Sequence, residues 1–179
     1  MKTYHLIILV ILFASCKTSR KAQVIVPHID YSKKVIRTVD PNQPIPNYQS
    51  LSTFNGDTAK YLKVNFIDRQ EAYINKKLDV LLKDMEVPIT KFVAVLDQST
   101  FKTSTLVYLN IDNYREQTKK IETKNEPSVI IINWKKPIAA DSTIAIMRST
   151  QGLWNAAAKQ YFGNQTIGSI EKIIVKPIQ

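Results

Sequence analysis

Two rhythms of apolar residues run along this chain. After Asn75, Leu78, Leu81, Leu82 and Met85 stand at helical spacing, and Pro88 follows. Such spacing gathers four side chains on one face of a helix that Asn75 caps and Pro88 stops. Upstream, Asn55-Gly56-Asp57 offers another helix start, with Leu62 and Phe66 one turn apart in a segment predicted to run through about Ile67. Downstream, residues 141–150 predict one helix. A further helix starts from Thr150 or Asn155, places Leu153, Trp154, Ala157, Ala158, Tyr161 and Phe162 on one face, and stops at Gly163.

The second rhythm is alternation by two, the signature of strands. Residues 89–96 put Phe92, Ala94 and Leu96 on one side and Val93 and Val95 on the other; residues 105–111 are nearly as apolar on both sides. Residues 129–134 (VIIINW) are the most apolar and predict a central strand, while residues 169–175, with Glu171 and Lys172, predict a shallower or edge strand. Between the second and third strands, residues 112–127 carry nearly balanced charges and read as a solvated long hairpin or a short helix. The order α-α-β-β-β-α-α-β partly segregates strands from helices. The expected class is therefore α+β in two layers, about four mainly antiparallel strands with helices packed on the sheet. Two strands are apolar on both faces, so the second face also needs a cover: the preceding segment, the remaining helices or a partner.

A formal charge of +10 raises nucleic acid as a partner until its distribution is considered. Residues 17–46 hold six basic groups against Asp30 and Asp40, whereas residues 47–179 hold 18 basic and 13 acidic groups. The excess is dense ahead of the folded part and dilute within it, and no recognition motif interleaves it with aromatics, so nucleic acid is not an expected partner. Cys16 is the only cysteine, and the two histidines are His5 and His28. Residues 48–179 thus contain neither type. That excludes Ser-His-Asp and Cys-His catalysis in this part, and zinc sites built on His or Cys. Four unclustered glycines give no phosphate-cradling loop. No cofactor or metal is expected. Acid chemistry survives these exclusions, with Asp57, Asp68, Glu71, Asp79, Asp84, Glu86, Asp97, Asp112 and Asp141 scattered along the chain. Asp97 directly follows a strand, a place that suits a catalytic acid and a turn-forming Asp alike.

The N-terminus is more specific. Met1-Lys2 precedes the eight-residue apolar run from Leu6 to Phe13, then small Ala14 and Ser15, then Cys16. The run is too short to span a bilayer and has the layout of a secretory signal. The ending Phe13-Ala14-Ser15-Cys16 resembles the lipobox of bacterial lipoproteins, with Phe13 where Leu is usual. The resemblance implies that residues 1–15 are a signal peptide, cut before Cys16, and that Cys16 carries a diacylglycerol and an acylated amine. Several acyl chains at ~0.8 kcal/mol per buried CH₂ anchor durably, where one chain is marginal. Lys17, in a position where Asp often retains lipoproteins at the inner membrane, implies the periplasmic face of the outer membrane of a Gram-negative envelope. The basic run Lys17-Thr18-Ser19-Arg20-Lys21 is the opposite of the acidic cluster that marks surface export. Residues 16–47 then form a basic, Pro-containing tether, with three Pro among residues 40–46, and residues 48–179 a single globular domain. Fully extended, the tether reaches at most ~100 Å. Val24-Ile25-Val26 and Val35-Ile36 are candidates for an edge strand on the domain.

These observations favour a membrane-anchored, non-catalytic binding or scaffold module for an envelope protein or polymer. A carboxylate-dependent hydrolase of envelope glycans and an inhibitor or immunity-type plug are the alternatives. The candidate contact residues are Lys76 and Lys77, cations where a helix start disfavours them, together with Trp134 and Trp154. Trp154 and Tyr161 fit a pocket wall, although an aromatic pair at helical spacing beside Ala is ordinarily core.

Overall fold

The computed structural model describes residues 46–172. Their sheet contains β1 (Lys91–Leu96), β2 (Thr103–Asn110), β3 (Val129–Ala139) and β4 (Ile167–Lys172), neighbours in chain order and antiparallel throughout. The helices are α1 (Thr58–Leu62), α2 (Leu78–Asp84), α3 (Tyr114–Glu122), α4 (Ala140–Thr150) and α5 (Ala156–Gly163). This is the expected two-layer α+β fold. The expected signal, Cys16 and all but the last two residues of the tether lie outside the described residues, as do residues 173–175 of the expected last strand.

Alternation along the strands decides the layers. Phe92 and Ala94 of β1, Val107 and Leu109 of β2, Ile130, Ile132 and Trp134 of β3, and Ile167 and Ile170 of β4 share one buried cluster. Tyr61 and Leu62 of α1, Leu78 and Leu81 of α2, and Ala158 and Phe162 of α5 pack into it. Each large side chain removed from water here contributes roughly 1.5–3 kcal/mol. The opposite face holds a smaller cluster of Tyr108, Val129 and Ile131, with Val95 and Leu106 beside it. β2 is thus apolar and covered on both sides. β1 is not, because Val93 is 49% exposed.

Local chemistry sets the element boundaries. The Asp57 carboxylate accepts the Lys60 amide and starts α1. Lys63–Ile67 continues it as a π-helical turn in which Asp68 N–H reaches Lys63 O at 2.8 Å, and Asn65 and Phe66 both end up buried. Asn75 does not cap α2. It sits at φ 65° and donates its amide to Ile167 O at 2.9 Å, so residues 75–77 run alongside β4 and the helix begins only at Leu78. The helix also ends early, with Met85 already extended ahead of Pro88. In the charged stretch 112–127, Asn113 and Glu116 form a reciprocal capping box, which resolves it as a helix. Asn155, not Thr150, caps α5 by accepting the Ala158 amide at 3.1 Å. Leu153 and Ala157, expected on the packed face, are exposed. Gly163 is the last residue of α5 rather than a left-handed stop; a Cβ there would come 3.1 Å from Asp79 Oδ1, so its bareness lets α5 close on α2.

β3 runs well past Trp134. Leu106 pairs with Asn133 and Ser104 with Ile138, so residues 134–137 bulge opposite Thr105 alone. Gly168 makes this possible, since a Cβ would lie 3.0 Å from Lys135 N and 3.1 Å from the Trp134 carbonyl carbon. β4 is an edge strand, as expected, but a shielded one: beyond residues 75–77, the Gln70 side chain accepts the Ile170 amide at 3.3 Å.

Candidate functional site

The densest polar constellation in the described residues lies where the chain joins the domain. Arg69 Nε donates to Pro46 O at 2.6 Å. Buried Asn65 clasps Gln49 twice, accepting its amide and donating to its carbonyl, each at 2.8 Å. Glu86 Oε2 accepts the Leu51 amide at 2.9 Å. Between these ties stands Tyr48, whose hydroxyl lies 2.7 Å from Glu86 Oε1, 2.8 Å from Asp84 O and 2.9 Å from the Tyr61 hydroxyl. Tyr61 in turn accepts the Glu86 amide at 2.8 Å, and Tyr73 donates to Asp84 Oδ2 at 2.8 Å. The Arg69 guanidinium lies 5.5 Å from the Tyr48 ring centroid and 5.9 Å from that of Tyr73.

The protonation of this cluster is that of a joint. Burial, then the Tyr61 hydroxyl and the Glu86 carboxylate, push the Tyr48 phenol well above its ordinary range. Burial and the Asp84 carboxylate do the same to Tyr73, outweighing Arg69. Both phenols stay neutral and donate. The Tyr48 hydroxyl and the Leu51 amide hold Glu86 below the usual carboxylate range. A general acid in glycoside hydrolysis needs the opposite shift.

A second constellation has the residue types of a nucleophile and its base. Lys120 Nζ lies 2.7 Å from Ser128 Oγ and 2.9 Å from Asp112 Oδ1. Asp112 Oδ2 also accepts the Ser128 amide at 2.6 Å. An ammonium donating to a carboxylate has no lone pair with which to take the Ser128 proton, and Ser128 is 0% exposed. The arrangement fastens the α3–β3 connection to the sheet.

The expected contact residues separate. Trp134 is 6% exposed and stacks on Phe162 at 5.9 Å, with its indole nitrogen buried and unpartnered among the described residues. Trp154 also packs on Phe162, at 6.1 Å, and edge-on to Phe92, and the Tyr161 ring meets Phe162 at 4.9 Å. These aromatics are core. Lys76 and Lys77 are exposed beside the start of β4. Asp97 closes the β1–β2 turn by accepting the Ser99 amide and hydroxyl, which hold its carboxyl below the usual range. Tyr48, Tyr61, Arg69 and Tyr73 are not singled out by the sequence, although Arg69 and Tyr73 meet one helical turn apart. Their other partners lie up to 38 residues away, so local spacing does not announce the cluster.

Among the described residues no group of three or more His, Cys, Asp or Glu could hold a metal ion, and no helix is long and apolar enough to cross a membrane. Compared with known proteins, the chain matches no protein family, no curated protein and no solved structure.

Proposed function

We propose that this chain is a lipid-anchored envelope protein, held by Cys16 at the periplasmic face of the outer membrane, whose folded part serves as a non-catalytic binding or scaffold module. The observation that carries the reading is the junction at residues 46–51. A chain arriving from an anchor is gripped there by Arg69, Asn65 and Glu86 before it enters the core. A joint of this kind transmits position from tether to domain. The closed Lys120–Ser128 contact does not suit a nucleophile and base, and the lowered carboxyls of Glu86 and Asp97 do not suit a general acid, which supports binding as the reading.

The test is fractionation of a Gram-negative host expressing the chain and its Cys16→Ser variant, with a labelled fatty acid in the medium. The wild type is expected in the outer membrane and labelled, and the variant unlabelled and released. An unlabelled wild type overturns the anchor. Affinity capture of the wild type then separates the modes of binding: one stoichiometric protein indicates a scaffold or plug, and co-sedimentation with purified sacculi indicates polymer binding. Turnover of purified glycan strands, lost on substituting one carboxylate, overturns the non-catalytic reading.

A further inference from the structure

At the end of the sheet where β1 finishes and β4 begins, strand pairing gathers lysines from distant stretches of sequence. Lys77 pairs with Thr166, and Lys135 donates its amide to Thr166 O at 2.9 Å. Thr166 therefore stands between two lysine-bearing backbones, each about 5 Å away. Lys76 precedes one and Lys136 follows the other, and all four residues are exposed. None of the four forms an ion pair among the described residues, and Lys77 donates only to the neutral Asn164 side chain, at 3.2 Å. Like charges on neighbouring strands repel, and cations just ahead of α2 oppose its dipole. Asp79 in the first turn of α2 offsets part of the second cost, but no ion pair among the described residues neutralises the four lysines.

The same end of the sheet carries the β1–β2 turn. Phe101 at its tip is 66% exposed and sits at φ 53°, a left-handed conformation uncommon for a bulky residue. The turn is built: Phe101 N–H reaches Asp97 O at 2.8 Å, and the Asp97 carboxylate is occupied by Ser99. Exposed Lys102 follows, its carbonyl accepting the Ala140 amide at 3.0 Å where β3 ends. Asp79, in the first turn of α2, and Asp141, in the first turn of α4, are the other acids near this end.

We propose that this end of the sheet is a second membrane contact, through which the domain lies down on a phospholipid surface rich in anionic headgroups. The proposal rests on the anchored reading above. Lysines are mobile point charges with three donors each, suited to a crowd of lipid phosphates rather than to one shaped ligand. The exposed Phe101 ring, next to Lys102, adds an apolar foothold in the headgroup region. A row across strand ends, rather than a ring around a cleft, matches a surface.

The test places the full chain on vesicles of phosphatidylcholine, with or without phosphatidylglycerol, and maps acetylation of each lysine by mass spectrometry. With phosphatidylglycerol present, Lys76, Lys77, Lys135 and Lys136 are expected to react about fivefold more slowly, and high salt is expected to erase the difference. Lys91 and Lys124, at the opposite end of the sheet, serve as controls and stay unchanged. Lys135→Gln with Lys136→Gln, both at exposed positions, is expected to weaken the protection of Lys76 and Lys77. Equal labelling on the two vesicle types overturns the proposal, as does unchanged protection in the variant. Equal protection by inorganic phosphate on neutral vesicles also overturns it, since that marks a small-anion site. A chain that ignores neutral vesicles but is captured and protected by anionic ones upholds the contact and removes the anchor; capture by neither overturns both.

Discussion

Tyr48 and Tyr73 make the response to alkali a test of the junction. Their phenols titrate above the ordinary 10.0 in the folded protein, through burial first and through hydrogen bonds to neighbouring oxygens second. A group whose folded pKa is raised stabilises fully below its unfolded value and loses that contribution as pH climbs toward the folded one. Stability is therefore expected to fall above about pH 10, with part of the phenolate absorbance near 295 nm appearing only as the protein unfolds. Tyr73→Phe should lose about 1 kcal/mol in urea denaturation and flatten the alkaline decline. Glu86, shifted the other way, contributes above its unfolded value and ceases to do so as pH drops through its lowered one. The Lys120 constellation gives a second contrast. Asp112→Ala strips a buried amide and an ammonium of their shared acceptor and is expected to cost about 2–4 kcal/mol, whereas Ser128→Ala should cost about 1 kcal/mol. Equal losses in thermal or urea unfolding would contradict the structural role argued for Asp112.

Strands and helices differ in how openly the sequence announces them. Asp57 and Asn155 signal helix starts through side chains that cap within three residues, and Asn113 with Glu116 carries the same local sign. The apolar runs of residues 91–96 and 129–134 are legible because β-branched and aromatic residues gather in segments of strand length. What escapes is set by contacts remote in sequence. Asn75 serves β4 instead of α2, β3 continues through Lys135 and Lys136 with no apolar rhythm, and the lysine row exists only because Thr166 lies between two strands. Trp134 and Trp154 have the right chemistry for a partner contact, but Phe162 claims both. The bulge in β3 gives a direct prediction. In Gly168→Ala the new Cβ meets backbone that no side-chain rotation can relieve, so a loss of about 1–3 kcal/mol is expected. Amide exchange in that variant should accelerate around Trp134 and Lys135 first.

The domain is held at one end of α2 and presents its lysines at the other. Tyr48 meets the carbonyl of Asp84 where the helix finishes, and Lys77 precedes its first residue. The helix spans only about 10 Å, so the incoming segment and the basic row flank the same short rod. Under the proposed anchoring, the row would stay within reach of the membrane.

Gripping residues 46–51 also sets the length of the leash. Six residues pinned to Arg69, Asn65 and Glu86 are six that cannot pay out under load, and releasing them would add up to ~20 Å to the reach of any segment that enters at Pro46. In single-molecule pulling from the N-terminus this release should appear as a small yielding step well before the sheet gives way, and Asn65→Ala combined with Glu86→Gln should move it to lower force or abolish it.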